Sequence, residues 1–151
     1  MCPMPTFITL ITLLLCVVGA AAQDVSVLVA YHSQTGNTEK MAEAIAEGAI
    51  GEGVTVVMKK VTELTQADLE AADAVILGSP VHMGDVAVEV RQTLVDWSYK
   101  FGFWRSHGLE NKVCAVFATG AAASNGKEFT MMSMALGMTQ FGMVLVTPYG
   151  G

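Results

Sequence analysis

Ser33, Gln34, Thr35, Gly36, Asn37 and Thr38 form a run in which nearly every residue can donate a hydrogen bond. It lies between an apolar stretch of strand type, residues 25–30, and an amphipathic helical stretch that begins near Glu39. Hydroxyls, an amide and the unpaired N–H groups of a helix N-terminus suit an anion, which the helix dipole also favours. Gly36 lets the backbone come close to the ligand. A loop for triphosphates would also carry Gly-Lys-Ser/Thr, because the β- and γ-phosphates and their Mg²⁺ need a cation and a hydroxyl on the metal. Here the only nearby lysine, Lys40, stands too far into the helix. The run therefore suits one terminal phosphate monoester, as on a mononucleotide such as FMN. The plainer alternative is a strand-to-helix turn capped by small polar residues.

The elements that must hold this loop follow from the period of the apolar residues. Strands are expected at 25–30, 54–60, 74–78, 112–118 and 143–147, and helices at 38–51, 66–71, 86–98 and 127–141. Regular alternation of this kind predicts an α/β fold, a doubly wound five-stranded parallel sheet between two layers of helices. In the first helix Met41, Ile45 and Ala49 form the expected core stripe with Ala42 and Ala46 beside them. In the third helix the stripe is Ala87, Val90, Leu94 and Trp97, and in the fourth Met131, Met134, Ala135 and Met138. The chain's 10 methionines are read as core filler.

Ligands of such sheets bind beyond the carboxyl ends of the strands. Three unusual loops leave those ends: residues 33–38, the run from Gly78 to Asp85, and the run from Ala118 to Gly126. Their meeting on one edge weighs more than any one of them.

Composition narrows the partners. The 151 residues carry a net charge of −6, with every charged side chain after residue 22. No basic cluster marks a nucleic-acid surface, and no spacing of Cys or His marks a metal site. Residues 1–22 read as a signal peptide: an uncharged apolar run from Phe7 to Val18, then Gly19, Ala20, Ala21 and Ala22 ahead of Gln23. The n-region lacks Lys and Arg, so a retained anchor is the competing interpretation. The run of about 16 apolar or small residues is short of the roughly 20 that span a bilayer. The mature chain, residues 23–151, keeps only Cys114 and can form no internal disulfide.

The three loops together resemble the flavodoxin-like FMN-binding proteins. More narrowly, Gly78, Ser79 and Pro80 with Gly84, Arg91, Trp104 and the run Gly142 to Val146 resemble the tryptophan-repressor-binding-protein-like NAD(P)H:quinone oxidoreductases. The likeness covers residues 25–149. It implies that Ser33, Gln34, Thr35, Gly36, Asn37 and Thr38 hold the FMN phosphate. Pro80, Val81, His82, Met83 and Gly84 would follow the ring edge, with Thr119, Gly120 and Ala121 on its other side. It further implies a cover at Trp104, often shared with a neighbouring subunit, and hence a homo-oligomer. His82 is the one side chain there that could stabilise a reduced flavin or protonate a product; otherwise it is a solvated loop histidine.

The expected function is electron transfer from NAD(P)H or another donor to a quinone-like small molecule. The alternatives are a flavodoxin-type one-electron carrier serving a redox protein, and an exported interaction module without cofactor. Two features depart from the family pattern. The sequence stops just after the fifth strand, without the final helix, as a C-terminally truncated domain would. The export signal would place the protein outside the cytoplasm, away from free NAD(P)H, with membrane contact only through an uncleaved N-terminus; a misassigned start would leave it cytoplasmic.

Overall fold

The computed structural model describes residues 24–147; the segment read as a signal peptide and the last four residues lie outside them. In chain order the elements are β1 (Ser26–Tyr31), α1 (Asn37–Gly51), β2 (Thr55–Lys60), α2 (Gln66–Ala71), β3 (Ala74–His82), β4 (Asp85–Val86), α3 (Val88–Tyr99), α4 (Phe103–Ser106), β5 (Val113–Thr119), α5 (Lys127–Thr139) and β6 (Val144–Leu145). The sheet runs β2-β1-β3-β5-β6, and these neighbours pair in parallel. β4 alone pairs antiparallel, with the end of β3. Strand order reverses between β1 and β3, which is where an open parallel sheet leaves a crevice.

Alternation along β1 divides the core in two. Leu28 and Ala30 face a large cluster with Leu69 of α2, Val90, Leu94 and Trp97 of α3, and Met134 and Met138 of α5. Val29 and Tyr31 face the other layer, where they meet Ala42 of α1 and Phe117 of β5. The period of two along one strand thus separates the two helical layers. The expected stripe of α3 is buried throughout. In α1 the face is turned from expectation: Ala42 and Ala46 are the buried pair, and Met41 is exposed. Small alanines let that helix lie close to the sheet, leaving the longer side chains at its margin. Helix α2 is held by a capping box between Thr65 and Asp68; the bond from Lys59 and those from Thr65 hold the Asp68 carboxyl down at about 2.

Two stretches depart from the expected boundaries. Gly78, Ser79 and Pro80 look like a chain break, yet they stay in register with Phe117, Ala118 and Thr119, so β3 runs on to His82. The chain then turns at Met83 and Gly84, both at positive φ, 52° and 81°, as a type I′ hairpin turn requires, and returns as β4. Hence α3 begins at Val88 and not at 86. The other stretch is α4, four residues in a segment expected to be loop.

Gly78 has a packing role. A Cβ on it would lie 2.0 Å from Cζ of Phe117, whose ring crosses the strand there. Gly78→Ala is expected to cost about 3 kcal/mol in urea unfolding, and Phe117→Leu in the Gly78→Ala background to recover part of that loss.

Candidate functional site

The loop after β1 is built as an anion cradle. Gly36 caps α1 in the left-handed region, with φ 84° and open space where a Cβ would stand. No side chain caps this N-terminus, and Lys40 N–H donates to the Gly36 carbonyl at 3.0 Å, so the N–H groups of the first turn are left for a ligand. The Gly36 N–H donates to Ser33 Oγ at 3.1 Å, and the Asn37 amide to Thr35 Oγ1 at 3.2 Å. These bonds hold the loop open while leaving the Ser33 and Thr35 hydroxyl protons free to donate outward. Thr38 is buried, and its hydroxyl bonds that of Thr119 at 2.8 Å, tying the first loop to the end of β5.

Below the cradle, Tyr31 donates to Glu39 Oε1 at 2.6 Å; burial, helped by Glu39, raises its phenol to about 12. It therefore stays a neutral donor wherever the protein is folded at ordinary pH.

The second loop is a rigid hairpin. Ser79, fully buried, donates to the Pro80 carbonyl at 2.8 Å and accepts from Ala87 N–H at 3.0 Å, which fixes where the hairpin returns. The tip rests on the third loop. Gly126 caps α5 at φ 82°, and a Cβ there would lie 2.8 Å from the Gly84 Cα. Gly120 is pressed between Val81 and Lys127 in the same way, at 3.3 and 3.2 Å.

Between these loops lies a cavity of about 260 Å³, lined by Gln34, Thr35, Asn37, Thr38, Pro80, Val81, His82, Thr119, Gly120 and Ala121. All three expected loops contribute. Ser33 and Gly36 shape the first loop without lining the cavity. Met83 does not follow its wall: it sits fully exposed at the hairpin tip, and Gly84 beside it faces Gly126. Trp104 is also elsewhere. It is half exposed on α4, against Gln140 and Phe141 beyond the far end of α5. The N–H of Asn111, just ahead of β5, donates to the Gly142 carbonyl at 2.9 Å, so this is the amino edge of the sheet, opposite the cavity. No cover from Trp104 reaches the cavity within one subunit.

Two residues absent from the sequence argument stand beside the cavity. His32 ends the β1 segment, its N–H donating to the Gly78 carbonyl at 3.1 Å. Its ring meets His82 edge-on at 6.1 Å between centroids, and its Nε2 lies 3.5 Å from Glu89 in the first turn of α3. Its place directly ahead of the polar run was the available signal. Glu89 had none, since the distance between them in sequence closes only through the fold. Among the described residues, no cluster of His, Cys, Asp or Glu suited to a metal ion is present.

The donor set fits FMN: an uncapped helix N-terminus with free hydroxyls for the phosphate, and strand-end backbone on two sides for a flat ring. Fold and site together define an α/β mononucleotide-binding protein of flavodoxin type. Residues 29–145 match the flavodoxin family, and the chain belongs to it. The NAD(P)H dehydrogenase (quinone) of Azorhizobium caulinodans is 36% identical over 144 residues, covering 82% of this chain and 71% of that protein. The flavodoxin of Aquifex aeolicus is 37% identical over 133 residues, covering 83% and 67%. Among solved structures, a flavodoxin, WrbA-like protein from Agrobacterium tumefaciens superposes with a TM-score of 0.69 at 32% identity, covering 81% of this chain and 76% of that one.

The contact between Gly126 and Gly84 gives a test of the hairpin's role. Gly126→Ala adds left-handed strain of about 1 kcal/mol and forces the tip away. FMN affinity measured by fluorescence titration is expected to fall about tenfold, together with a loss of at least about 1 kcal/mol in urea unfolding.

Proposed function

We propose that the protein is an FMN-dependent oxidoreductase that passes electrons from NAD(P)H to quinone-type acceptors. The observation that carries this is the lining of the cavity. Three loops at the carboxyl edge converge on it, and none of its lining residues is Phe, Tyr or Trp. A ring held there keeps a face free for a second flat molecule, as an enzyme needs. The names of the relatives from Azorhizobium caulinodans and Archaeoglobus fulgidus, both NAD(P)H dehydrogenase (quinone), support the same reading.

Bound FMN would supply the redox step, accepting a hydride equivalent and delivering electrons onward. The chain's own residues do the rest. Ser33, Thr35, Asn37 and the first-turn N–H groups of α1 bind the phosphate; Gly36 admits it. Pro80, Val81 and Gly120 bring backbone and small side chains to the ring edge and exclude water. His82, half-buried in the cavity wall, is placed to hold a proton near the reacting atoms. The Aquifex aeolicus relative named flavodoxin favours a second interpretation, a one-electron carrier.

Trp104 enters the proposal through assembly. In a homo-oligomer that apposes the amino edge of one subunit to the carboxyl edge of another, it would cover a neighbour's cavity. Export is proposed from residues 1–22, with cleavage before Gln23; intact-mass measurement of protein secreted from its native type of host is expected to begin at Gln23, and retention of Met1 would overturn it.

The central test is the visible spectrum of purified protein with FMN. Bound flavin is expected at micromolar cofactor, and its absence would defeat both redox interpretations. Thr35→Ala is expected to weaken FMN about tenfold without altering stability, and NADH-driven reduction of a benzoquinone distinguishes the enzyme from a carrier that halts at one electron.

A further inference from the structure

A second cavity of about 410 Å³ runs along α3, floored by Val61, Leu64, Val88, Trp97 and Phe101. Trp97 is fully buried beneath this apolar floor, and Thr62, Gln92 and Thr93 add polar side chains to the walls. Val88 opens α3 with three quarters of its surface exposed, at a helix start where acidic or polar residues are favoured.

This groove adjoins the FMN cavity. Glu89 lines the groove and lies 3.5 Å from His32, whose ring meets His82 of the cavity wall. His32 and Glu89 thus form a shared rim between the cavity and the groove. A molecule whose flat head lies against a ring held in the cavity can extend over this rim into the groove.

The charges along the groove decide what kind of extension fits. Glu89 and Asp96 face a single cation, Lys100, whose Nζ is held 5.6 Å above the Phe101 ring. A pyrophosphate would meet two carboxylates, one of them Glu89 in the first turn of α3 where it already answers that helix's dipole, so the dinucleotide's phosphates are disfavoured. An uncharged hydrocarbon chain buries apolar floor without that repulsion.

We propose that the groove holds the hydrocarbon tail of the electron acceptor, so that the substrates are quinones with an alkyl or prenyl side chain. This rests on the quinone reductase reading above and names its substrate class. Each buried methylene is worth about fourfold in affinity, so two of them give about 15-fold.

The test compares 2,3-dimethoxy-5-methylbenzoquinone with the same ring bearing a decyl chain. The tailed acceptor is expected to show a KM at least tenfold lower at similar kcat. Val88→Asp is expected to remove most of that difference and leave the tail-less acceptor unchanged. Equal KM values, or an equal loss for both acceptors, would overturn the proposal.

Binding is read separately from turnover. With Trp104→Phe, Trp97 is the remaining one of the chain's 2 tryptophans, and a decyl chain brominated at its far end should quench its emission more than the unbrominated chain. Equal quenching places the tail elsewhere and overturns the proposal. If neither quinone is reduced, the functional reading fails, and the quenching difference still decides whether the groove takes the tail.

Discussion

Phe117 lies across β3 because residue 78 has no side chain, and much of the carboxyl edge depends on that contact. The ring closes the smaller core with Val29, Tyr31 and Ala42, which seats α1 against β1. The same glycine accepts from His32 N–H, so the start of the phosphate loop hangs from it. Two residues further on, Pro80 pairs with Thr119, whose hydroxyl reaches Thr38. Three loops distant in sequence are thereby set by one close approach between neighbouring strands. A bulkier residue would part the strands and loosen all three loops together.

Around that contact the site is divided by function. The first loop supplies donors, the hairpin a rigid wall, and the third loop small residues that let the wall come close. Buried Ser79 and left-handed Gly126 hold the hairpin from two sides, so the exposed Met83 at its tip does not imply a loose loop. His82 is set by strand pairing opposite Asp85 and not by a flexible turn. A half-buried imidazole held in this way can serve proton chemistry because its position does not wander.

The sequence was most legible where its signals were local. Strand and helix alternation, the polar run after β1 and the small residues after β5 each declare themselves within ten residues, and the structure places them as expected. Gly78 to Pro80 misled because glycine and proline are turn residues by habit, whereas here a ring from the next strand demanded the glycine. The α1 stripe turned toward its alanines because close packing against a sheet rewards small residues over large ones. Glu89 was invisible: its meeting with His32 depends on where a helix begins after an unforeseen hairpin. Trp104, expected as a cover, lies at the amino edge against Gln140 and Phe141, because the short helix α4 that carries it had no local signal in the sequence.

The cradle after β1 contains no cation, in a chain of net charge −6. An anion there is held by aligned dipoles and hydroxyls alone, against a mildly repulsive background. Such binding gains nothing from long-range attraction, so dissolved salt screens only the repulsion and, in reverse of its effect on a site built on lysines, strengthens the binding. It is correspondingly intolerant of displacement, since a dipole's pull falls off faster with distance than a charge's. The protein thus trades electrostatic reach for selectivity: a ligand with more phosphates gains nothing from its extra charge.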